Sequence, residues 1–194
     1  MQGRCKLEKL VSPGGFALKS TALLVIDVQN AMMYDKPYKS GLLITNIKKL
    51  LQLAKDNSFP IIYIRHDGGI GNGLEKGIDS WQIYDEIAPS RNEMIFDKQF
   101  NSAFKETKLH DYLKSINIQK LILTGMQTEY CIDATCKSAF DLGYEIIIVK
   151  SSVTTYDNSL ITAETITEFY EEQVWQGRFA SVIPIECLSS ELSK

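Results

Sequence analysis

The sequence predicts a doubly wound α/β fold, with three α/β/α layers built on a six-stranded, mostly parallel sheet in the order 3-2-1-4-5-6. Short β-branched runs alternate with longer amphipathic stretches, which is the pattern of βαβ units. The chain has 194 residues, 44% hydrophobic and 23% charged, values that suit a soluble globular protein with a sizeable core. Because we find no internal repeat or linker, we treat residues 1–194 as a single domain.

The six strands are identified by their apolar, β-branched composition. The first, TALLVID, is apolar almost throughout, as expected of a strand covered on both faces. The predicted strands span residues 21–27, 60–65, 93–98, 120–125, 143–150 and 178–185.

The segments between the strands carry helical periodicity. In residues 41–57, Leu43, Ile47 and Leu50 fall on one helical face. A helix opens directly after strand four and ends before Gly143, where a left-handed C-cap belongs. Further helices are predicted over 104–117 and 159–174.

Composition excludes several classes of function. A formal net charge of −3 without a basic run gives no electrostatic footprint for nucleic acid or an anionic membrane. The apolar runs are too short to span a bilayer, and the N-terminal MQGRCKLEKL lacks the core of a signal peptide, so we expect a cytoplasmic protein. The four cysteines include no CxxC pair, which favours reduced thiols over a zinc site.

Three chemically useful residues lie at the carboxyl ends of predicted strands. Asp27 ends strand one, Lys98 ends strand three and Cys131 follows strand four. Ligands of doubly wound sheets collect beyond these ends, where the strand order reverses. We therefore expect the three side chains to share one crevice.

Cys131 is the candidate nucleophile because the positive end of its helix would favour a thiolate. The backbone N–H groups of Gln127 and Cys131 could receive an oxyanion. Of the two histidines, His66 is expected away from the crevice centre and His110 is expected to be solvated on its helix. A carboxylate at the buried end of strand one is then the candidate base, and Lys98 would balance its charge.

The motifs ALLVIDVQN, FDKQFNSAF and GMQTEYCIDAT together resemble those of the isochorismatase-like cysteine hydrolases, which include nicotinamidases and carbamoylsarcosine and ureidoacrylate amidohydrolases. The resemblance extends from about Thr21 to Ile185 and implies a Rossmann-like fold. It assigns a catalytic role to Asp27, Lys98 and Cys131.

The resemblance also implies a mechanism of amide hydrolysis. Asp27 takes the thiol proton, Cys131 attacks the carbonyl carbon, and the N–H groups of Gln127 and Cys131 hold the oxyanion. Water then cleaves the thioester. Members usually have a cis peptide bond at the position of Met126 and Gln127, which would direct the Gln127 N–H to the site.

Two departures from the family patterns reduce the number of family activities that this sequence can have. Nicotinamidases add a metal site from an Asp-x-His motif and a later histidine, whereas the segment RHDGGIGNG offers one histidine. We predict no metal ion and no other cofactor. Isochorismatases proper lack the cysteine nucleophile, so Cys131 favours carbon–nitrogen hydrolysis of a small amide-type molecule over cleavage of a vinyl ether.

Four aromatic residues are candidates for substrate binding: Trp81, Phe100, Tyr34 and Tyr156. Trp81 could equally be a core or subunit-contact residue. The glycines of loop 68–77 match no dinucleotide-binding pattern and are expected to let a lid fold over the crevice. The family resemblance implies a homo-oligomer, a dimer or tetramer, with WQIYDEIAP and the helix over 159–173 as contact surfaces.

Two other classes of function stay open at this point. The same fold could serve as a non-catalytic module that binds a small molecule or a partner, although an intact set of three catalytic residues argues against this. A thiol redox protein would need a resolving cysteine, and Cys136 would have to reach across its helix to act as one. We interpret Cys5, Cys136 and Cys187 as structural or incidental.

Overall fold

The structure is a computed structural model that describes residues 20–192, so the prediction for Cys5 lies outside the described residues. It confirms a six-stranded sheet in the order 3-2-1-4-5-6, and every neighbouring pair of these strands is parallel. The strands are β1 (Thr21–Ile26), β2 (Ile61–His66), β3 (Met94–Lys98), β4 (Lys120–Met126), β5 (Glu145–Thr154) and β6 (Ser181–Ile183).

The sheet carries one apolar core on each face. All six residues of β1 are buried, because this strand lies between β2 and β4 with helices on both sides. Successive side chains point to opposite faces of a strand. Leu23 and Val25 accordingly join one cluster, and Leu24 and Ile26 join the other. This alternation produces the predicted three layers.

Six helices cover the sheet within residues 20–192. They are α1 (Asn30–Tyr34), α2 (Ser40–Asp56), α3 (Leu109–Ser115), α4 (Asp133–Asp141), α5 (Ala163–Phe169) and α6 (Leu188–Leu192). α2 agrees with the helix predicted over 41–57, and Gly143 has the expected left-handed conformation, with φ of 89°. No helix among the described residues is long and apolar enough to cross a bilayer.

Several predicted boundaries are wrong. The helix expected over 104–117 begins only at Leu109, because the Ser102 and Thr107 side chains bond to nearby backbone groups and compete with helical pairing. The helix expected over 159–174 begins at Ala163, where the Thr162 hydroxyl accepts a hydrogen bond from a backbone N–H as an N-cap. It then widens into a π-turn over Tyr170–Trp175. β5 extends four residues past its predicted end, from 150 to 154, and β6 keeps only three residues.

The parallel sheet brings the carboxyl ends of all its strands to one edge. Asp27 follows β1, Lys98 closes β3, and the segment from Gln127 onward follows β4. β1 and β4 are neighbours in the sheet, and β2 separates β1 from β3. A side chain from β3 can therefore reach β1 only by passing the end of β2.

Candidate active site

Asp27, Lys98 and Cys131 meet at this edge, as the sequence predicts. The Lys98 Nζ lies 2.6 Å from Asp27 Oδ2 and 3.2 Å from Cys131 Sγ. Asp27 and Lys98 are each only 2% exposed. Two opposite charges are thus held in a buried setting beside a thiol, where their mutual attraction is much stronger than in water.

Asp27 is positioned by backbone contacts on both sides of β1. Its N–H donates to the Ile64 carbonyl at 3.0 Å, and its φ of 54° is a left-handed value that aspartate tolerates better than most residues. On the β4 side, Gly125 pairs with Ile26. A Cβ on Gly125 would lie 2.0 Å from the Ile26 carbonyl oxygen, so only glycine permits this close approach directly before Asp27.

Cys131 lies in a π-turn, Thr128–Ile132, that joins β4 to α4. The predicted first turn of a regular helix is therefore replaced by a wider turn, in which the Ile132 N–H donates to the Gln127 carbonyl at 3.1 Å. The Met126–Gln127 peptide bond is cis, as the family resemblance implies.

The environment of Cys131 opposes ionisation, whereas the helix end was expected to favour the thiolate. Burial and the Asp27 carboxylate raise the pKa of the Cys131 thiol to about 12, although Lys98 acts in the opposite direction. Desolvation outweighs the helix-end effect on which the prediction rested. The thiol is therefore protonated at neutral pH, and a base has to remove its proton during the reaction.

Asp27 offers the acceptor that such a proton transfer needs. Its Oδ2 accepts from Lys98, whereas its Oδ1 is buried and accepts no hydrogen bond within residues 20–192. Asp27, His66 and Cys131 each place a side-chain ligand atom within 4.8 Å of the others. One carboxylate oxygen is thus held by the ammonium while the other keeps its lone pairs free, and the carboxylate as a whole lies near the thiol.

The prediction that His66 lies away from the crevice centre is wrong. β2 and β3 pair in a register that sets His66 beside Lys98, and the His66 Nδ1 lies 3.2 Å from the Lys98 Nζ. The predicted strand order implies that His66 lies beside Lys98, since the Lys98 side chain must pass the end of β2 to reach Asp27. Reading each strand separately missed it.

The other histidine is not solvated as expected. His110 is half-buried, with its Nδ1 3.0 Å from the Tyr144 hydroxyl and its ring edge-on to Tyr144 and close to Phe104. It belongs to an aromatic cluster on the outer layer of the sheet.

Asp27, His66 and Cys131 could together ligate a metal ion, but the Lys98 ammonium already provides a positive charge between them. The Lys98 Nζ lies within 3.2 Å of one potential metal-ligand atom of each residue, namely Asp27 Oδ2, His66 Nδ1 and Cys131 Sγ. An ammonium in this position satisfies the lone pairs that a metal ion would otherwise use. The metal-free site stays a prediction, and this geometry is in accord with it.

Gln29 is a structural member of the site that sequence reasoning missed. It is fully buried, its Oε1 accepts from the His66 N–H at 2.8 Å, and its Nε2 donates to the carbonyls of His66 at 3.0 Å and Trp81 at 2.7 Å. Its place in the motif ALLVIDVQN, two residues after Asp27, was the available signal. Gln29 ties the end of β2 to Trp81, which follows loop 68–77 in the chain.

The four aromatic candidates have different surroundings. Phe100 lines a cavity of about 220 Å³ together with Lys98 and Asp67. Tyr34 is 60% exposed on α1, and the Tyr156 hydroxyl donates to the Met32 carbonyl. Trp81 is 4% exposed and stacks on the Arg65 guanidinium at 3.6 Å from the ring centroid, which is the setting of a core residue.

Comparisons with known proteins agree with this fold. The model of the Isochorismatase domain matches residues 21–181. Nicotinamidase 3 of Arabidopsis thaliana is 27% identical over 158 residues, which are 73% of this chain and 77% of that protein. The ureidoacrylate amidohydrolase RutB of Serratia proteamaculans is 25% identical over 172 residues, 69% of each chain.

A solved structure extends the similarity to three dimensions. An isochorismatase from Pseudomonas putida KT2440 superimposes with a TM-score of 0.81 at 28% identity, covering 90% of both chains. The family match spans β1 to β5, ends at the first residue of β6, and contains Asp27, Lys98 and Cys131. The chain belongs to the isochorismatase family.

Proposed function

We propose that this protein is a cysteine hydrolase that cleaves the carbon–nitrogen bond of a small amide-type molecule through a thioester intermediate. The observation that carries the proposal is the Lys98 ammonium held between Asp27 and Cys131, with the second Asp27 oxygen buried and free of hydrogen bonds within residues 20–192. Two relatives, a nicotinamidase and a ureidoacrylate amidohydrolase, are named for amide substrates.

The reaction begins when Asp27 takes the proton of Cys131 and the sulfur attacks the substrate carbonyl carbon. The backbone N–H groups of Gln127 and Cys131 are the proposed donors to the oxyanion. The carbon–nitrogen bond then breaks, and the leaving amine or ammonia takes the proton from Asp27. This step leaves an acyl group on the sulfur.

Water completes the cycle. It gives one proton to Asp27, and its oxygen attacks the thioester carbonyl carbon. The carbon–sulfur bond then breaks, the carboxylic acid leaves, and Asp27 returns the proton to the Cys131 sulfur. Lys98 stays positively charged throughout and stabilises whichever partner, carboxylate or thiolate, carries the negative charge. Coupling the proton transfer to attack suits a thiol that burial keeps protonated at rest.

The test is ammonia release from a panel of primary amides and ureido acids, combined with intact-mass measurement after acid quenching. We expect turnover of at least one compound and a transient acyl mass on Cys131. Cys131→Ala should abolish both signals. Cys136→Ala is the matched control, because Cys136 is a fully buried cysteine in the neighbouring helix α4 and should keep both.

Isochorismate, a vinyl ether, is included as the competing substrate. Its hydrolysis at equal rates by wild type and Cys131→Ala, without ammonia release from any amide, would show that the sulfur is not the nucleophile. Binding of panel compounds without turnover would instead support the non-catalytic module.

A further inference from the structure

The Lys98 ammonium has three protons, and the structure offers three acceptors within hydrogen-bonding distance. Two are Asp27 Oδ2 at 2.6 Å and Cys131 Sγ at 3.2 Å; the third is His66 Nδ1 at 3.2 Å. A buried ammonium is stable only where its donors are satisfied. His66 therefore completes the coordination of the charge on which the proposed reaction depends.

We propose that His66 is a positioning residue, whose Nδ1 lone pair holds the Lys98 ammonium in line with both Asp27 and Cys131; this inference rests on the proposed function. A histidine accepts through Nδ1 only in the neutral form that carries its proton on Nε2. His66 therefore acts through the orientation and charge of Lys98 and not through direct contact with the reacting atoms.

The backbone of His66 is itself held firmly at the end of β2. His66 pairs with Lys98 across β2 and β3, so their side chains leave the sheet side by side. The buried Gln29 side chain accepts from the His66 N–H and donates to the His66 carbonyl. Both backbone polar groups of this residue are thus fixed by one side chain, which holds the point from which the imidazole projects toward Lys98.

The charges around His66 favour its neutral form. Burial and the Lys98 ammonium lower the pKa of the imidazole, whereas the carboxylates of Asp27 and Asp67 oppose this effect less strongly. Lys98 faces it from β3, Asp27 from the end of β1 and Asp67 from its own segment, and the Cys131 thiol is uncharged at neutral pH. The ring is therefore able to accept a hydrogen bond from Lys98 across the neutral range.

The first experiment measures alkylation of Cys131 by iodoacetamide at pH 8.5 by peptide mass mapping, which separates it from the other three cysteines, in wild type, His66→Leu and His66→Asn. Leucine removes the acceptor, so Lys98 loses one of its three anchors and stabilises the thiolate less well. We expect alkylation in His66→Leu to be about tenfold slower, corresponding to a rise of about one unit in the apparent thiol pKa. The amide oxygen of asparagine can accept at the Nδ1 position and should recover most of the lost rate.

His110→Asn is the matched control, since it makes the same substitution at the other histidine, beside Tyr144. Its alkylation rate should equal that of wild type. Circular dichroism establishes that each variant is folded. A wild-type rate in folded His66→Leu, or an equally slow rate in His66→Asn, would overturn the proposal.

A second measurement needs no folded leucine variant. The chain has only two histidines, so ¹⁵N spectra of the imidazole groups can be assigned by comparing wild type with His110→Asn. At pH 7 we expect His66 to be neutral, with Nε2 protonated and Nδ1 unprotonated. A cationic ring or an Nδ1–H tautomer would overturn the proposal. Neither experiment uses a substrate, so a negative result here is distinct from failure of the ammonia-release test.

Discussion

Asp27 and Lys98 act on the Cys131 thiol in opposite directions. Burial raises the pKa of the Cys131 thiol, the negative charge of the Asp27 carboxylate raises it further, and the Lys98 ammonium lowers it. Asp27 therefore slows the reaction of the free thiol with an alkylating reagent, because its charge suppresses the thiolate. The same carboxylate promotes catalytic turnover, because it is the proposed proton acceptor.

Asp27→Asn is expected to separate these two effects. Without the negative charge the thiol pKa falls, so alkylation of Cys131 by iodoacetamide at neutral pH should become about tenfold faster. Turnover of an amide should fall by about 10²- to 10⁴-fold, because the base is lost. Stopped assays of alkylation and of ammonia release on the same preparation check both results. Asp141→Asn, an exposed substitution on α4, should change neither rate; a parallel fall of both rates in Asp27→Asn would contradict this account.

The close pairing of β1 with β4 at Gly125 determines where Asp27 lies in the site. Gly125 has φ of 121°, and an added Cβ would approach the Ile26 carbonyl oxygen to 2.0 Å and the Ile26 N to 2.9 Å. These contacts are with backbone, so relief requires the strands to separate directly before Asp27. A small substitution here should disturb stability and the site together.

Gly125→Ala is therefore expected to lower the free energy of unfolding by about 3 kcal/mol, from overpacking together with strain at positive φ. Gly143→Ala is the control for the conformational strain alone. Gly143 also has positive φ, but nothing lies within 4 Å of the position that an added Cβ would take, so its cost should be nearer to about 1 kcal/mol. Urea unfolding of the two variants measures the difference. Equal losses would show that contact with Ile26 contributes nothing.

The pH dependence of folding is a property of the whole molecule, and Glu171 contributes to it. This residue lies in the π-turn Tyr170–Trp175, is 6% exposed and accepts from the Ser151 N–H at 3.4 Å. Burial raises the pKa of its carboxyl above the ordinary 4.5. The folded state thus binds this proton more tightly than the unfolded chain does.

The sign of the effect follows from this difference. Stability is lost as pH rises from the unfolded pKa to the raised folded pKa, and the loss persists at neutral pH. Glu171→Gln removes the buried charge, so its Tm should exceed that of wild type at pH 7, with the gain disappearing below about pH 4. Calorimetry from about pH 3 to pH 8 measures this. The exposed Glu168→Gln should leave Tm unchanged at each pH, and a lower Tm for Glu171→Gln at pH 7 would contradict the account.

The homo-oligomeric state and the cytoplasmic location of the protein stay predictions. Leu160 and Phe169, on the segment expected to contact a second subunit, are 89% and 55% exposed. The lid function of loop 68–77 also stays a prediction. Within the chain, Trp81 and Gln29 anchor one end of that loop to the sheet.

The strand order and the meeting of Asp27, Lys98 and Cys131 were determined by the sequence alone. Alternation of apolar runs is a local property of the chain, and parallel strands of a doubly wound sheet must bring their carboxyl ends to one edge. Helix ends were less predictable, as at residues 104–108, because single side-chain bonds such as that of Thr107 compete with helical pairing over short distances.

The tertiary structure alone decided the protonation of Cys131 and the place of His66. Burial of a thiol depends on residues from separate strands, and it reversed the effect expected from the helix end. His66 enters the site because β2 and β3 pair in one register and because Lys98 crosses the end of β2 to reach Asp27. Local pattern cannot reveal such relations, since desolvation and cross-strand contact arise only when distant segments pack together.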